Sequence, residues 1–134
     1  EIGENLHVSS RVQAVCDWFG PTDFTRMNKA GSSMDHDAPD SPESQLIGGP
    51  VQQHKEKAAR ANPITFVSQN DPPFLIMHGD QDPLVPMNQS ELLNEALKKA
   101  GVDVSFHVVK GAGHGFGSPE INKRVRDFFG KHLK

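Results

Sequence analysis

A single histidine lies in a glycine-rich stretch near the carboxyl end of this chain. Residues 111–117 contain four glycines and His114, and they follow an apolar segment, Val104–Val109, whose pattern is typical of a β-strand. Glycine permits positive φ angles and lets other groups approach closely. A histidine on such a loop stands clear of its neighbours at the end of a strand. This placement is typical of a catalytic base.

A carboxylate occupies a similar position after an earlier strand. Asp82 follows the apolar residues 74–78 by four positions, and His114 follows its own strand by five. If the two strands are parallel neighbours, both loops open at the same end of the sheet and the two side chains can meet. A carboxylate that accepts an imidazole N–H fixes the tautomer and stabilises the imidazolium formed during catalysis. Such a pair needs a nucleophile, usually serine.

The serine that would complete this set has no matching motif in the chain. No Gly-x-Ser-x-Gly occurs, and no His-Gly-Gly-Gly stretch that could supply oxyanion donors. The nearest approach is Gly-Ser-Ser-Met-Asp at residues 31–35, which lacks the second glycine and is not placed between a strand and a helix. We interpret it as a loop.

Strand and helix patterns alternate along the chain. Strands are predicted at residues 12–19, 74–78 and 102–109, and helices at residues 41–47, 51–61, 88–100 and 119–133. The first strand is expected to be buried on both faces and the third to lie at an edge. Residues 22–42 have no sustained period and are predicted to form a loop. The alternation predicts an α/β fold with about three parallel strands joined by right-handed crossovers and flanked by helices.

The composition limits the classes of protein that fit. The 134 residues suffice for one domain, residues 1–134, and the net charge of −3 argues against nucleic acid or an anionic membrane as a partner. No apolar run approaches the roughly 18 residues that span a bilayer. Cys16 is the lone cysteine, so no internal disulfide can form, and its apolar surroundings predict a buried thiol. Nothing in the composition indicates a compartment.

The two loops together resemble the carboxy-terminal half of an α/β-hydrolase. The similarity is to esterases and lipases of the prolyl-oligopeptidase-like and acetyl-xylan or feruloyl esterase-like group. It rests on His-Gly-Asp-Gln-Asp-Pro-Leu-Val-Pro at residues 78–86, Gln89-Ser90, Gly-Ala-Gly-His-Gly-Phe at residues 111–116, and Asp-Trp-Phe-Gly-Pro-Thr-Asp at residues 17–23. The resemblance implies that Asp82 is the catalytic acid and His114 the catalytic base. It implies no role for Asp80.

The resemblance also implies that part of the catalytic set lies elsewhere. The family order is serine, acid, histidine, and this chain matches only the last two. We therefore expect the serine and the oxyanion loop in an amino-terminal half upstream of Glu1, and we expect the isolated chain to be inactive. The strand at residues 12–19 would then need a neighbour, because an open apolar edge invites pairing. That neighbour is expected to be the missing half or a second chain, unless the strand rearranges.

The predicted function is therefore a serine ester hydrolase of the carboxylesterase type, acting on a small-molecule ester. Two alternatives stay open: a serine peptidase of the prolyl-oligopeptidase type, and a non-catalytic interaction domain that keeps the hydrolase fold. The Asp80-x-Asp82 pattern beside His78 is a weak metal signal, and we expect neither a metal nor a cofactor. Trp18 is predicted to serve packing. Five further histidines share no spacing and are predicted to be solvated: His7, His36, His54, His107 and His132.

Overall fold

The computed structural model describes residues 4–28 and 32–133. Its centre is a parallel sheet of three strands in the order β1 (Val15–Trp18), β2 (Phe74–Gly79) and β3 (Val104–Val109). Val15 lies opposite Phe74, and Phe74 opposite Val104, so all three strands begin at the same level. The predicted parallel α/β arrangement is confirmed.

Successive side chains of β2 point to opposite faces of the sheet, and a helix packs against each face. Ile76 packs against Leu93 and Leu97 of helix α3 (Asn88–Ala100). Leu75 and Met77 pack on the other face against helix α4 (Pro119–His132). β2 is therefore the buried central strand, as the apolar run of residues 74–78 predicts.

The helix ends follow local signals in the sequence. Ser118 caps α4 by accepting a hydrogen bond from the Ile121 N–H at 3.1 Å, and Pro119 occupies the first turn. Gly101 ends α3 in the left-handed region at φ 80°. Ser41 caps helix α1 (Pro42–Ile47) in the same way as Ser118.

Two predicted elements differ in the structure. The helix expected at residues 51–61 is a 3-10 turn, Val51–Gln53, followed by helix α2 (Lys55–Ala61). The break falls at His54, whose φ of −123° and ψ of 45° leave the helical region and whose Nδ1 lies 3.1 Å from the Pro50 carbonyl oxygen. The region between β1 and β2 also forms a small core with Val85 of the loop after β2; its other members are Phe24, Met27, Ile47, Val51 and Ala58.

The first strand is shorter and more exposed than predicted. β1 spans four residues, all of them half-buried, and Val12 before it is 54% exposed. The Cys16 thiol is likewise half-buried rather than buried, and burial raises its pKa while a hydrogen bond from the Trp18 indole lowers it. Within the described residues β1 pairs only with β2, and the pairing of its other edge stays a prediction.

Candidate active site

Asp82 and His114 meet at the carboxyl ends of β2 and β3. The Nδ1 of His114 lies 2.9 Å from the Oδ2 of Asp82, where an Nδ1–H donates to the carboxylate. The Asp82 side chain is fully buried, whereas that of His114 is 33% exposed. Among the described residues the Nε2 of His114 has no hydrogen-bond partner. With Nδ1 protonated, Nε2 carries the lone pair, and the exposed ring can present it to a group outside the loop.

The backbone after β2 prepares Asp82 for this contact. The Oδ1 of Asp82 accepts the Leu84 N–H at 2.9 Å and the Val85 N–H at 3.0 Å. Because these two donors fix Oδ1, Oδ2 is the oxygen that faces His114.

Close backbone approach brings the two loops together. A β-carbon on Gly79 would lie 2.6 Å from the Gly113 carbonyl oxygen and closer still to that of Ala112, so only glycine fits there. The Gln81 N–H donates to the Ala112 carbonyl oxygen at 3.0 Å. Asp80 Oδ1 accepts the Gly111 N–H at 2.6 Å. Asp80, for which the family resemblance implies no role, therefore ties the loop of Asp82 to the loop of His114.

A second imidazole, buried His78, also faces Asp82. Its Nε2 lies 2.8 Å from the Val85 carbonyl oxygen and 3.3 Å from Asp82 Oδ2, while its Nδ1 lies 2.7 Å from the Ser90 hydroxyl. A carbonyl oxygen only accepts, so the ring proton is on Nε2 and Ser90 donates to Nδ1. His78 thus holds the backbone beside the acid. The sequence signal was its place just before Gly79, but its contacts depend on the fold.

An aromatic cluster flanks the partly exposed ring of His114. The ring of Phe19 is centred 4.4 Å from that of His114, and Trp18 stacks on Phe116 at 5.2 Å. The packing role predicted for Trp18 is confirmed. Phe19 has a φ of 47°, which is uncommon for a residue with a side chain and costs on the order of 1–3 kcal/mol. No local sequence signal indicated that this ring would lie against His114.

One buried carboxylate oxygen lies near this site without a partner. Asp17 Oδ1 accepts the Gly20 N–H at 3.2 Å, but its Oδ2 is buried and has no hydrogen bond within the described part of the chain. Burial raises the pKa of the Asp17 carboxyl, and the Gly20 hydrogen bond and the nearby His78 lower it by less. The neutral form is therefore favoured relative to an exposed aspartate.

The histidine predictions are only partly correct. His36 was expected to be solvated, but it is 2% exposed. That prediction is wrong because residues 32–36 fold back on the loop after β2, where Ser33 N–H donates to the Pro83 carbonyl oxygen at 2.9 Å. His54, His107 and His132 are half-buried, and His7 is exposed.

Two weak sequence motifs, Gly-Ser-Ser-Met-Asp at residues 31–35 and Asp80-x-Asp82, contain residues that make structural contacts. Gly31 lies outside the described residues, and Ser32 and Ser33 hydrogen-bond to the carbonyl oxygens of Leu84 and Pro83. No serine in the described ranges is hydrogen-bonded to His114.

Across residues 4–28 and 32–133 no group of three or more His, Cys, Asp or Glu side chains is placed to hold a metal ion. None of the helices described is long and apolar enough to cross a membrane.

A family model and a sequence relative that match this chain both indicate an esterase family. The sequence model of the BD-FAE family matches residues 1–97, a segment that includes Asp82 and ends before His114. The esterase LipQ of Mycobacterium tuberculosis is 38% identical over 77 residues, which are 52% of this chain and 18% of that protein.

Solved structures agree with the sequence relatives. A truncated carbohydrate esterase from gut microbiota superposes with a TM-score of 0.88 at 36% identity, over 98% of this chain and 46% of that one. A puromycin-hydrolysing peptidase of Mycobacterium tuberculosis superposes with a TM-score of 0.70 at 25% identity, over 90% of this chain and 18% of that one. This chain therefore spans less than half the length of these relatives. It belongs to the BD-FAE family of α/β-hydrolase esterases.

Proposed function

We propose that this chain supplies the acid and the base of a Ser-Asp-His triad in a serine ester hydrolase of the carboxylesterase type. The observation that supports the proposal is the 2.9 Å contact between buried Asp82 and half-exposed His114. The two residues also stand at the positions where the family resemblance implies acid and base. The serine lies on a segment outside this chain, because no Gly-x-Ser-x-Gly occurs in the 134 residues.

The proposed mechanism uses the free nitrogen of His114. The serine Oγ attacks the ester carbonyl carbon while Nε2 takes its proton, giving a tetrahedral intermediate and an imidazolium. Buried Asp82 stabilises that imidazolium through Nδ1–H. The imidazolium then donates its proton to the departing alcohol, which leaves an acyl-enzyme. Water attacks the acyl carbon, again with Nε2 as the base. The imidazolium then returns the proton to the serine Oγ as the bond between Oγ and the acyl carbon breaks and the carboxylic acid leaves.

The edge of β1 away from β2, which is unpaired within the described residues, is the proposed attachment point for the segment that carries the serine. β1 and its neighbour β2 place Phe19 and Asp82 at the same end of the sheet. A further strand beside β1 would carry its own following loop to that end. The serine on that loop could then reach His114. An amino-terminal half of the same protein is the proposed occupant of this edge, and a second chain is the alternative.

The test compares the 134-residue chain with the protein that also carries its preceding segment, using a short acyl ester. The chain alone is expected to be inactive, and sustained hydrolysis by the pure chain would contradict the proposal. In the longer protein, His114→Ala is expected to abolish turnover, and Asp82→Asn to lower it by up to about ten-thousandfold. His7→Ala, at an exposed histidine, is the matched control and should leave the rate unchanged.

A serine peptidase of the prolyl-oligopeptidase type is the second candidate, supported by the similarity to the puromycin-hydrolysing peptidase. The same acid and base serve amide cleavage. Faster turnover of prolyl peptides than of short acyl esters would favour the peptidase. Absence of both activities in the longer protein would instead favour a non-catalytic interaction domain.

A further inference from the structure

A single peptide group connects Asp82 to a buried histidine in another part of the chain. The Val85 N–H donates to Asp82 Oδ1 at 3.0 Å. The carbonyl of the same peptide group belongs to Leu84, and its oxygen lies 2.9 Å from the Nε2 of His36. Because a carbonyl oxygen only accepts, Nε2 of His36 carries the proton and donates it. His36 therefore lies one peptide group away from the catalytic acid.

The surroundings of His36 are built to hold its ring in place. Its backbone N–H donates to the Asn28 side chain at 2.7 Å, and its carbonyl oxygen accepts the Ser41 hydroxyl at 2.9 Å. The buried carboxylate of Glu43 lies 3.1 Å from Nδ1, within ion-pair distance although off the direction of a hydrogen bond. A histidine anchored on both sides of its backbone and flanked by a carboxylate has little freedom to turn its donor away from Leu84.

Two buried imidazoles thus hold consecutive carbonyl groups beside the acid. His36 binds the carbonyl oxygen of Leu84, and His78 binds that of Val85. The N–H groups of the same two residues are left to donate to Asp82 Oδ1. A donor on the Leu84 oxygen polarises the Leu84–Val85 peptide group and strengthens the hydrogen bond made by the Val85 N–H. The Val85 carbonyl shares its peptide group with Pro86, which has no N–H, so His78 holds the backbone without this effect.

We propose that His36 is a positioning residue for Asp82, acting through the Leu84–Val85 peptide group. It fixes the plane of that peptide and strengthens the Val85 N–H as a donor to Oδ1. The carboxylate is then oriented with Oδ2 toward His114. This inference rests on the proposed function of Asp82 and His114, and it assigns residues 32–43 a part in orienting the acid.

The same residues also form a serine–histidine–carboxylate array, with the Ser32 hydroxyl 2.9 Å from His36 Nε2. This array does not act as a second catalytic centre. The His36 ring is buried, and its Nε2 proton is directed at the Leu84 carbonyl oxygen, so it cannot accept a proton from Ser32.

The test replaces His36 and follows the acid by NMR in the 134-residue chain. His36→Phe removes the imidazole donor to the Leu84 oxygen, leaves the hydrogen bond from the Ser32 hydroxyl and keeps a ring. His36→Gln instead keeps an N–H near the position of Nε2. His54→Phe is the matched control, since it breaks another imidazole contact with a carbonyl oxygen, that of Pro50. We expect His36→Phe to speed amide exchange of Val85 by about tenfold or more and to remove the His114 Nδ1–H signal. His36→Gln should restore both, and His54→Phe should affect neither.

Kinetics in the longer protein give the second readout. We expect His36→Phe to lower kcat between about tenfold and hundredfold with little change in KM, because the substrate still binds while the acid is misplaced. Unchanged Val85 exchange and kcat in His36→Phe would overturn the proposal. If His36→Phe does not fold, loss of the His114 signal in folded His36→Gln would overturn it.

These readouts separate the inference from the proposed function. The NMR measurements do not require ester hydrolysis. Failure of the proposed function would appear as turnover that does not depend on His114. Failure of the inference alone would leave the dependence on His114 intact.

Discussion

Replacing Gly79 with alanine should separate the acid loop from the base loop. Gly79 ends β2, and the backbone of the His114 loop passes directly over its α-carbon. An added β-carbon would lie 2.6 Å from the Gly113 carbonyl oxygen, whereas ordinary contact begins at 3.4 Å. The obstructing atoms belong to the backbone, so no side chain can rotate out of the way. The loop itself must move by more than about 0.8 Å, the difference between these two distances, because the Ala112 carbonyl oxygen lies closer still.

The size of the effect follows from that displacement. Overpacking of this kind costs about 1–3 kcal/mol of the free energy of unfolding. The His114–Asp82 contact of 2.9 Å would stretch beyond hydrogen-bond range if the movement is along it. A misplacement of about 1 Å can lower a rate by on the order of a hundredfold. Gly79→Ala should therefore lose more activity than its loss of stability alone explains.

Urea unfolding of the chain and ester turnover by the longer protein measure the two effects. Gly130→Ala is the matched control, because a β-carbon at this exposed site in α4 meets no atom within 4 Å. It should stabilise the helix by about 0.5–1 kcal/mol and leave turnover unchanged. The reasoning is refuted if Gly79→Ala unfolds at the wild-type urea concentration and keeps its His114 Nδ1–H signal.

Two further substitutions test the polar groups around the site. Asp17→Asn keeps the acceptor for Gly20 and removes a buried carboxylate whose pKa is raised above its ordinary 3.8 by burial. The folded state then binds the proton more tightly than the unfolded state, so charging Asp17 destabilises the native chain. Asp17→Asn should be more stable than the wild-type chain in urea at pH 7. The difference in the free energy of unfolding should shrink as the pH falls through the raised pKa of Asp17. A difference that does not change with pH would contradict this. Asp80→Ala removes the acceptor of the Gly111 N–H and should cost about 0.5–1.5 kcal/mol in the same assay, while Asp80→Asn should retain most of the stability; equal losses would argue against the hydrogen bond.

Much of the fold was predictable because its signals are local. Each signal acts within a few residues of the element it defines. Examples are the apolar run of β2, the Ser118 cap of α4 and Gly101 at the carboxyl end of α3. The meeting of Asp82 with His114 was predictable for a different reason. Once two strands are parallel neighbours, the loops at their carboxyl ends must share one end of the sheet.

The unpredicted features depend on partners far along the chain. His36 looked solvated because its partner, the Leu84 carbonyl oxygen, is 48 positions away in a segment with no periodic pattern. The positive φ of Phe19 and its contact with His114 likewise follow from the tertiary arrangement rather than from residue type. The helix break at His54 arises from a side chain that reaches back to Pro50, which helical periodicity alone does not reveal.

The central claim is that His114 and Asp82 activate a serine that this chain does not contain. The most direct test treats the protein carrying its preceding segment with a fluorophosphonate, which labels activated serines, and locates the label by peptide mass spectrometry. We expect one labelled serine upstream of Glu1, with the labelling lost in His114→Ala and retained in His7→Ala. A label on Ser32 or another serine of residues 1–134, or a label that persists in His114→Ala, would contradict it.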